Sequence, residues 1–147
     1  MELLYGQDKA VAEWVFQRIP YLTNIWTNYV AIGVLDNGSL VAGFIYHDYF
    51  EGNIQFSMAS STPRWCTRKT LRVLFAYPFI QCGVRRVSFL TAKKNYKARK
   101  ALASMGFKLE GKLRNYYYDD DCLIYGLLRK EADEWIPQRL RGGDEWA

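Results

Sequence analysis

The sequence predicts a single-domain α/β (α+β) fold: a mixed, mostly antiparallel sheet with helices on both faces. Three observations carry this expectation. The apolar runs "VAIGVLD" and "LVAGFIYHDYF" flank Asn37-Gly38, the dipeptide best suited to positive φ at both centres of a type I′ turn. Behind Pro63 the period becomes helical, with Trp65, Leu71, Leu74, Phe75, Phe79 and Cys82 recurring at helix spacing. Two further strand patterns, "RRVSFLT" and "CLIYGLLR", follow, with a second helical stretch between them. At 147 residues, 50% apolar, the chain is long enough to bury one real core.

Taken in order, residues 3–5 ("LLY") predict a short first strand. From Asp8 to Arg18 the apolar positions Val11, Trp14, Val15 and Phe16 predict an amphipathic helix with Asp8 as N-cap and Pro20 beyond its end. Residues 21–29 are ambiguous, a short second helix being one reading. The Asn37-Gly38 hairpin comes next, and a second turn at Glu51-Gly52-Asn53 leads into "NIQFSMASS". Three antiparallel strands therefore precede Pro63. In the helix behind it, Pro78 is expected to kink or shorten the last turn, and Gly83 to stop it.

After "RRVSFLT" the segment "NYKARKALASMGFKLEGKLR" reads as an Asn95-capped helix. Ala98, Ala101, Leu102 and Met105 fall at i, i+3, i+4 and i+7, one helical face. Gly106 is placed as the left-handed residue after the helix, with Phe107 as its hydrophobic contact. "FKLEGKLRNYYY" and "CLIYGLLR" then pair across Asp119-Asp120-Asp121, and alternating faces predict at least one core tyrosine in "NYYY". We place the domain at residues 1–130 and a loose charged tail at 131–147.

The bulk numbers narrow the function. The longest apolar runs are seven residues against the roughly 20 a membrane span needs, so no membrane partner is expected. The start "MELLYGQDKA" has no apolar stretch of the signal-peptide kind. Three dispersed cysteines, Cys66, Cys82 and Cys122, suit free thiols in the cytoplasm. His47 is the sole histidine and no CxxC pair occurs, so no metal site is expected. A net charge of +5 favours polyanions, either nucleic acid or a phosphorylated cofactor. With no RNA- or DNA-reading motif, nucleic acid is the weaker reading.

Two clusters carry candidate chemistry. The helix behind Pro63 begins with Arg64, Thr67, Arg68, Lys69 and Thr70, and a helix start with cations and hydroxyls holds a diphosphate well. The second is "KKNYKARK" around Asn95, including Lys97. Each alone reads equally as a solvated basic helix face. Their order, strand, basic helix, strand, Asn-capped helix, puts both helix starts at the carboxyl ends of neighbouring strands, where open α/β sheets bind ligands.

The array "TPRWCTRKTL…GVRRVSFLTAKKNYKARKALASMGFKLEGKLR" resembles the GNAT superfamily of N-acetyltransferases, closest to its ribosomal-protein-type branch and to phage and prophage members. The likeness covers roughly residues 30–130 and is strongest at Asn95, Ala98, Gly106-Phe107, Glu110-Gly111 and Arg114. It implies a GNAT-like acyl-CoA N-acyltransferase fold, acetyl-CoA as cosubstrate and an amine acceptor, either a small molecule or a protein amine. A homodimer is in keeping with it, since neighbours often complete acceptor clefts in this family. The pantetheine arm would bond the backbone near Met58, Ala59 and Ser60, in a gap between the fourth and fifth strands. The pyrophosphate would sit on the N–H groups of Thr67 through Thr70, with Arg64 in the first place of the family's phosphate loop. Two positions depart from the family: Thr67 and Lys69 stand in the glycine places, and Leu102 where many members carry an acidic tyrosine.

The implied reaction is direct transfer without a covalent intermediate. A thiol of pKa about 8.5 leaves readily as an anion, so a strong acid is dispensable. The acceptor amine, of pKa about 10, needs a base or a water wire. A backbone N–H on the splayed fourth strand would stabilise the carbonyl oxygen. Candidate bases are His47, then Asp48, Glu51 and Glu110; Ser57 or Ser60 could order a water, and Asn95 bond cofactor or relay. A catalytically silent acyl-CoA-binding or protein-interaction module on the same fold is the alternative.

Overall fold

The computed structural model describes residues 1–19, 26–137 and 139. Its elements are β1 (Glu2–Leu4), α1 (Asp8–Phe16), β2 (Tyr29–Asp36), β3 (Ser39–Phe50), β4 (Asn53–Ser60), α2 (Arg68–Ala76), β5 (Arg86–Ala92), α3 (Tyr96–Ser104), β6 (Lys108–Tyr117) and β7 (Asp120–Leu128). One seven-stranded sheet runs in the order β1-β2-β3-β4-β5-β7-β6. Every neighbouring pair is antiparallel except β4 and β5. Since parallel neighbours need a crossover, α2 carries the chain between them.

Strand alternation sorts the sheet into two faces. Phe44, Tyr46, Phe56, Val87 and Phe89 meet Leu71, Leu74 and Phe75 of α2 and Leu102 of α3 in the main core. Ala31 and Ile45 face the other way, against Val11, Ala12 and Val15 of α1. The helix lies close here because Gly43 has no side chain: a Cβ on it would stand 2.7 Å from the Val15 side chain.

Both hairpin turns follow the sequence. Asn37 and Gly38 have φ of 51° and 82°, and Glu51 and Gly52 have 50° and 79°. Gly106, at φ 99°, closes α3: the Phe107 N–H reaches the Leu102 carbonyl at 3.0 Å and the Gly106 N–H that of Ala103 at 3.1 Å. That bond pair is the Schellman motif. Around Pro78 the helix continues as a π-helical turn, Tyr77–Gln81, with the Cys82 N–H bonded to the Tyr77 carbonyl. The missing proline donor is thus absorbed by a wider turn.

Four expectations change. Trp65 lies in a 3₁₀ turn, Pro63–Trp65, before the helix, which starts at Arg68 with Thr67 as N-cap. Asp8 is inside α1, its carboxylate accepting the Ala31 N–H at 3.0 Å, so it ties helix to sheet instead of capping. The β6–β7 turn is Tyr118-Asp119, and none of Tyr116, Tyr117 or Tyr118 is in the core, because Asn115 at φ 55° and a register slip between Leu113 and Tyr117 break the alternation. The start of the expected loose tail is docked. Ala132 and Ile136 are buried, and Trp135 donates from Nε1 to the Met105 carbonyl at 2.9 Å. The helix considered within 21–29 and most of the tail fall on residues outside the described set.

Candidate functional site

The parallel pair β4–β5 pairs over three residues only: Asn53, Ile54 and Gln55 lie beside Arg86, Val87 and Ser88. Beyond them β4 runs on to Ser60 and β5 to Ala92 with no register between them. A slot therefore opens where both strands head toward the helix starts. Its closed end is clamped. Arg86 donates to Asn53 Oδ1 at 3.0 Å and Glu110 Oε1 at 2.7 Å, and Ser88 Oγ donates to Asn53 Oδ1 at 2.8 Å. Gly126 leaves room for the Arg86–Glu110 pair, which a Cβ there would strike.

Which backbone groups face the slot follows from register. The Ser61 N–H bonds the Val41 carbonyl at 2.8 Å, and the β3–β4 register is unbroken from Ala42↔Ser60 to His47↔Gln55. Antiparallel pairs alternate between bonded and non-bonded. The amides of Gln55, Ser57 and Ala59 therefore serve β3, that of Phe56 closes the last rung to the Ser88 carbonyl of β5, and those of Met58 and Ser60 point to the open edge. Of the three residues expected to offer backbone groups, Met58 and Ser60 have amides on the open edge, whereas the Ala59 amide is taken by β3 and its side chain packs against the α1 cluster.

At the root of the slot, on the α1 face, His47, Asp48 and Ser57 come together. The Nδ1 of His47 lies 2.6 Å from Asp48 Oδ2, and its Nε2 lies 2.9 Å from Ser57 Oγ. An ionised carboxylate only accepts, so Nδ1 carries the proton, and Nε2 of the neutral ring accepts from the Ser57 hydroxyl. Neighbours on a strand ordinarily point to opposite faces. Here Asp48 sits at φ 53°, in a register slip between His47 and Phe50, and this bulge turns its carboxylate back to the imidazole. Trp26 stacks on the ring, centroids 3.8 Å apart and planes 18° off parallel. Burial pushes the His47 pKa below its ordinary value, and the bond and charge of Asp48 oppose this only in part.

The other candidate bases stand elsewhere. Glu110 is committed to Arg86, and Glu51 lies in the β3–β4 turn, at the end of β4 away from the slot. Among the cofactor candidates, Thr67 caps α2: its N–H goes to the Trp65 carbonyl at 2.9 Å and its Oγ1 accepts the Thr70 N–H at 3.2 Å. Those two amides are thus spent inside the chain, and the Thr70 side chain is buried. What α2 offers a diphosphate is the first-turn amides of Arg68 and Lys69 with their exposed side chains. Arg64 turns toward the β2–β3 hairpin, 3.3 Å from Asp36. Asn95 Oδ1 caps α3 through the Ala98 N–H at 3.2 Å, with Lys97 exposed in the same first turn. Leu102 is a core residue.

Sequence reasoning missed Trp26 and the inward turn of Asp48. Trp26 falls in the ambiguous segment, and the bulge has no signature in residue type. Asp120 and Asp121 accept backbone N–H groups of Lys94 and Asn115 at 2.7 and 2.8 Å, a turn-fastening role.

No protein-family model matches the sequence, and no curated protein matches it. Solved structures do match. One is a probable acetyltransferase, 25% identical, TM-score 0.63, over 71% of this chain and 64% of that one. A point mutant of a spermidine N-acetyltransferase from Vibrio cholerae is 14% identical, TM-score 0.72, over 91% of this chain and 99% of that one. A ribosomal-protein-S5-alanine acetyltransferase from Vibrio fischeri is 18% identical, TM-score 0.62, over 74% of this chain and 64% of that one. The match thus spans under two thirds of the first and third of these proteins. The mixed, mostly antiparallel sheet flanked by helices is the GNAT acyl-CoA N-acetyltransferase fold.

Proposed function

We propose that this chain is an N-acetyltransferase that moves an acetyl group from acetyl-CoA to a primary amine by direct attack in a ternary complex. One observation carries the reading: β4 and β5 part after three paired residues, leaving the Met58 and Ser60 amides of β4 facing a slot. A pantetheine arm has amides of its own and matches such an open edge. Arg68, Lys69, Lys97 and Asn95, on two helix starts, are the groups that would hold the phosphates.

The Met58 N–H is the donor for the thioester oxygen as charge develops on it. The amine must arrive neutral, since the lowered proton affinity of His47 suits it poorly to deprotonate a free ammonium. Once the C–N bond forms, the nitrogen is far more acidic, and its proton passes through the Ser57 hydroxyl to His47 Nε2. Asp48 then stabilises the imidazolium. The departing thiolate needs no dedicated acid, which accords with a leucine at position 102.

Two of these solved acetyltransferases are named for their acceptors, spermidine and a ribosomal-protein alanine, both amines. That supports the acceptor class here, without choosing between a small molecule and a protein amine. The ribosomal-protein-type and phage-like affinity rests on the Asn95 to Arg114 motif. Free Cys66, Cys82 and Cys122 support a cytoplasmic setting, and exposed Leu109, Leu113 and Tyr116 on edge strand β6 support a homodimer.

The second reading, a silent acyl-CoA-binding or interaction module, is favoured by Thr67 and Lys69, whose side chains stand where the family has glycine. The test is a thermal melt followed by an amine panel. Acetyl-CoA, but not acetate, should raise the Tm, and thiol release with at least one amine should follow. An unchanged melt at saturating acetyl-CoA removes both readings; binding without thiol release leaves the silent module.

A further inference from the structure

We infer that Ser57, His47 and Asp48 form a nucleophile triad that gives the chain a second activity, hydrolysis of thioesters and activated esters through an acetyl-Ser57 intermediate when no amine is bound. For a CoA thioester this rests on the acetyl-CoA reading above; for a simple ester it stands alone.

The hydroxyl, imidazole and carboxylate lie in series, at 2.9 Å from Ser57 Oγ to His47 Nε2 and 2.6 Å from His47 Nδ1 to Asp48 Oδ2. This is the connectivity by which a base activates a serine. Three features exceed what a buried histidine needs to satisfy its nitrogens. Asp48 takes a left-handed backbone conformation, uncommon for a non-glycine residue, and it takes it where the carboxylate meets Nδ1. Trp26 stacks on the ring and fixes its plane, so Nε2 is aimed along the sheet at Ser57. The residue after the hydroxyl, Met58, turns its N–H to the slot, and an amide next to the nucleophile is a standard oxyanion donor. Ser57 is half-buried and lies two positions past the last residue that β5 covers, so an acyl group entering the slot reaches it.

Ser57 Oγ bonds to the acyl carbon while its proton goes to His47 Nε2, and the negative oxygen takes the Met58 N–H. Collapse breaks the C–S or C–O bond, and the proton on Nε2 goes to the leaving thiolate or alkoxide. Water then attacks acetyl-Ser57, giving its proton to Nε2. That proton returns to Ser57 Oγ as acetic acid departs, which then ionises to acetate in the solvent. Nothing is oxidised or reduced, and water is the only added reactant.

The test uses the full chain without amine, with p-nitrophenyl acetate and acetyl-CoA as separate donors and a fluorophosphonate as a trap. Nitrophenolate and thiol release should both fall at least about 100-fold in Ser57→Ala, within the range of losing a triad member. The fluorophosphonate should label Ser57 in the wild-type chain and fail in His47→Ala. Ser57→Cys, folded by its melt, should accumulate an acetyl adduct on residue 57, a gain that a structural role would not produce. Wild-type hydrolysis rates in Ser57→Ala, or no fluorophosphonate label on Ser57, overturn the inference. Ester hydrolysis with no effect of acetyl-CoA on the melt sustains the triad and removes the acetyl-CoA reading. Amine acetylation with no Ser57 labelling does the reverse.

Discussion

Replacing Met58 by proline removes one N–H, and the register says which interactions go with it. The Met58 amide faces the slot and contributes nothing to the β3–β4 ladder, whereas the Ala59 amide is part of that ladder. Proline is tolerated on a strand where its nitrogen faces an open edge, and it restricts the preceding Ser57 to the extended region it already occupies. Measured against Met58→Ala, since the methionine side chain packs on the main core, Met58→Pro should lose only about 1 kcal/mol. Ala59→Pro should cost about 3 kcal/mol through the broken ladder bond. Catalysis should sort the other way. Losing one oxyanion donor lowers kcat by about 10²–10³, and the Met58 variant alone should show that loss while still folded. The assays are chemical denaturation of both variants and thiol release from acetyl-CoA with the best amine of the panel. Equal destabilisation by the two prolines would mean the assignment of amides is inverted. Full kcat in Met58→Pro would mean the thioester oxygen lies elsewhere.

Three further outcomes follow from the same geometry. The His47 pKa lies below the ordinary value of about 6.5, so the acid limb of kcat/KM, calculated on the concentration of neutral amine, should fall below that value. Asp48→Asn, which removes the carboxylate that raises this pKa, should shift the limb to still lower pH. The same depression means that the unfolded chain binds a proton which the folded chain refuses. Stability from this group is therefore full above about pH 6.5 and declines as pH falls toward the folded value, measurable by melts in stepped buffers. Arg68→Glu should weaken CoA binding at least tenfold by titration, whereas Asp120→Ala, which loses only hairpin fastening, should lower Tm without moving the Kd. Ile136→Ala should destabilise by about 2–5 kcal/mol, the cost of a cavity at a fully buried aliphatic, and a change within 0.5 kcal/mol would restore the loose tail.

What the sequence made legible was set by local rules. Asn37-Gly38, Gly83 and Gly106 are positions where backbone sterics leave few alternatives, and each has the positive φ its residue type predicts. The face of α3 is equally local, since Leu102 and Met105 have one buried direction available. The β4–β5 slot was expected from the likeness, and the three-residue parallel pairing has that form. Errors arose where a long-range contact overrode a local signal. Asp8 looks like a cap by type but is claimed by the Ala31 amide across the fold. Ala132 and Ile136 lie in a charged stretch whose apolar minority docks on the core. Ala59 lies in the tripeptide named from the likeness, but peptide groups alternate along a strand, and only the register with β3 says which amides are free. His47 and Ser57 were named separately; the bulge at Asp48 that joins them into one array is a backbone event that residue type does not announce.

The central claim is that the gap between β4 and β5 is where an acyl-CoA lies, with its phosphates at the starts of α2 and α3. A crystal structure grown with coenzyme A tests this most directly. The pantetheine arm should lie against Phe56–Ser60, bonded to the Met58 and Ser60 peptides, with the diphosphate beside Arg68 and Lys69. A coenzyme bound on any other face, or β4 and β5 zipped together to Ser60, would contradict it.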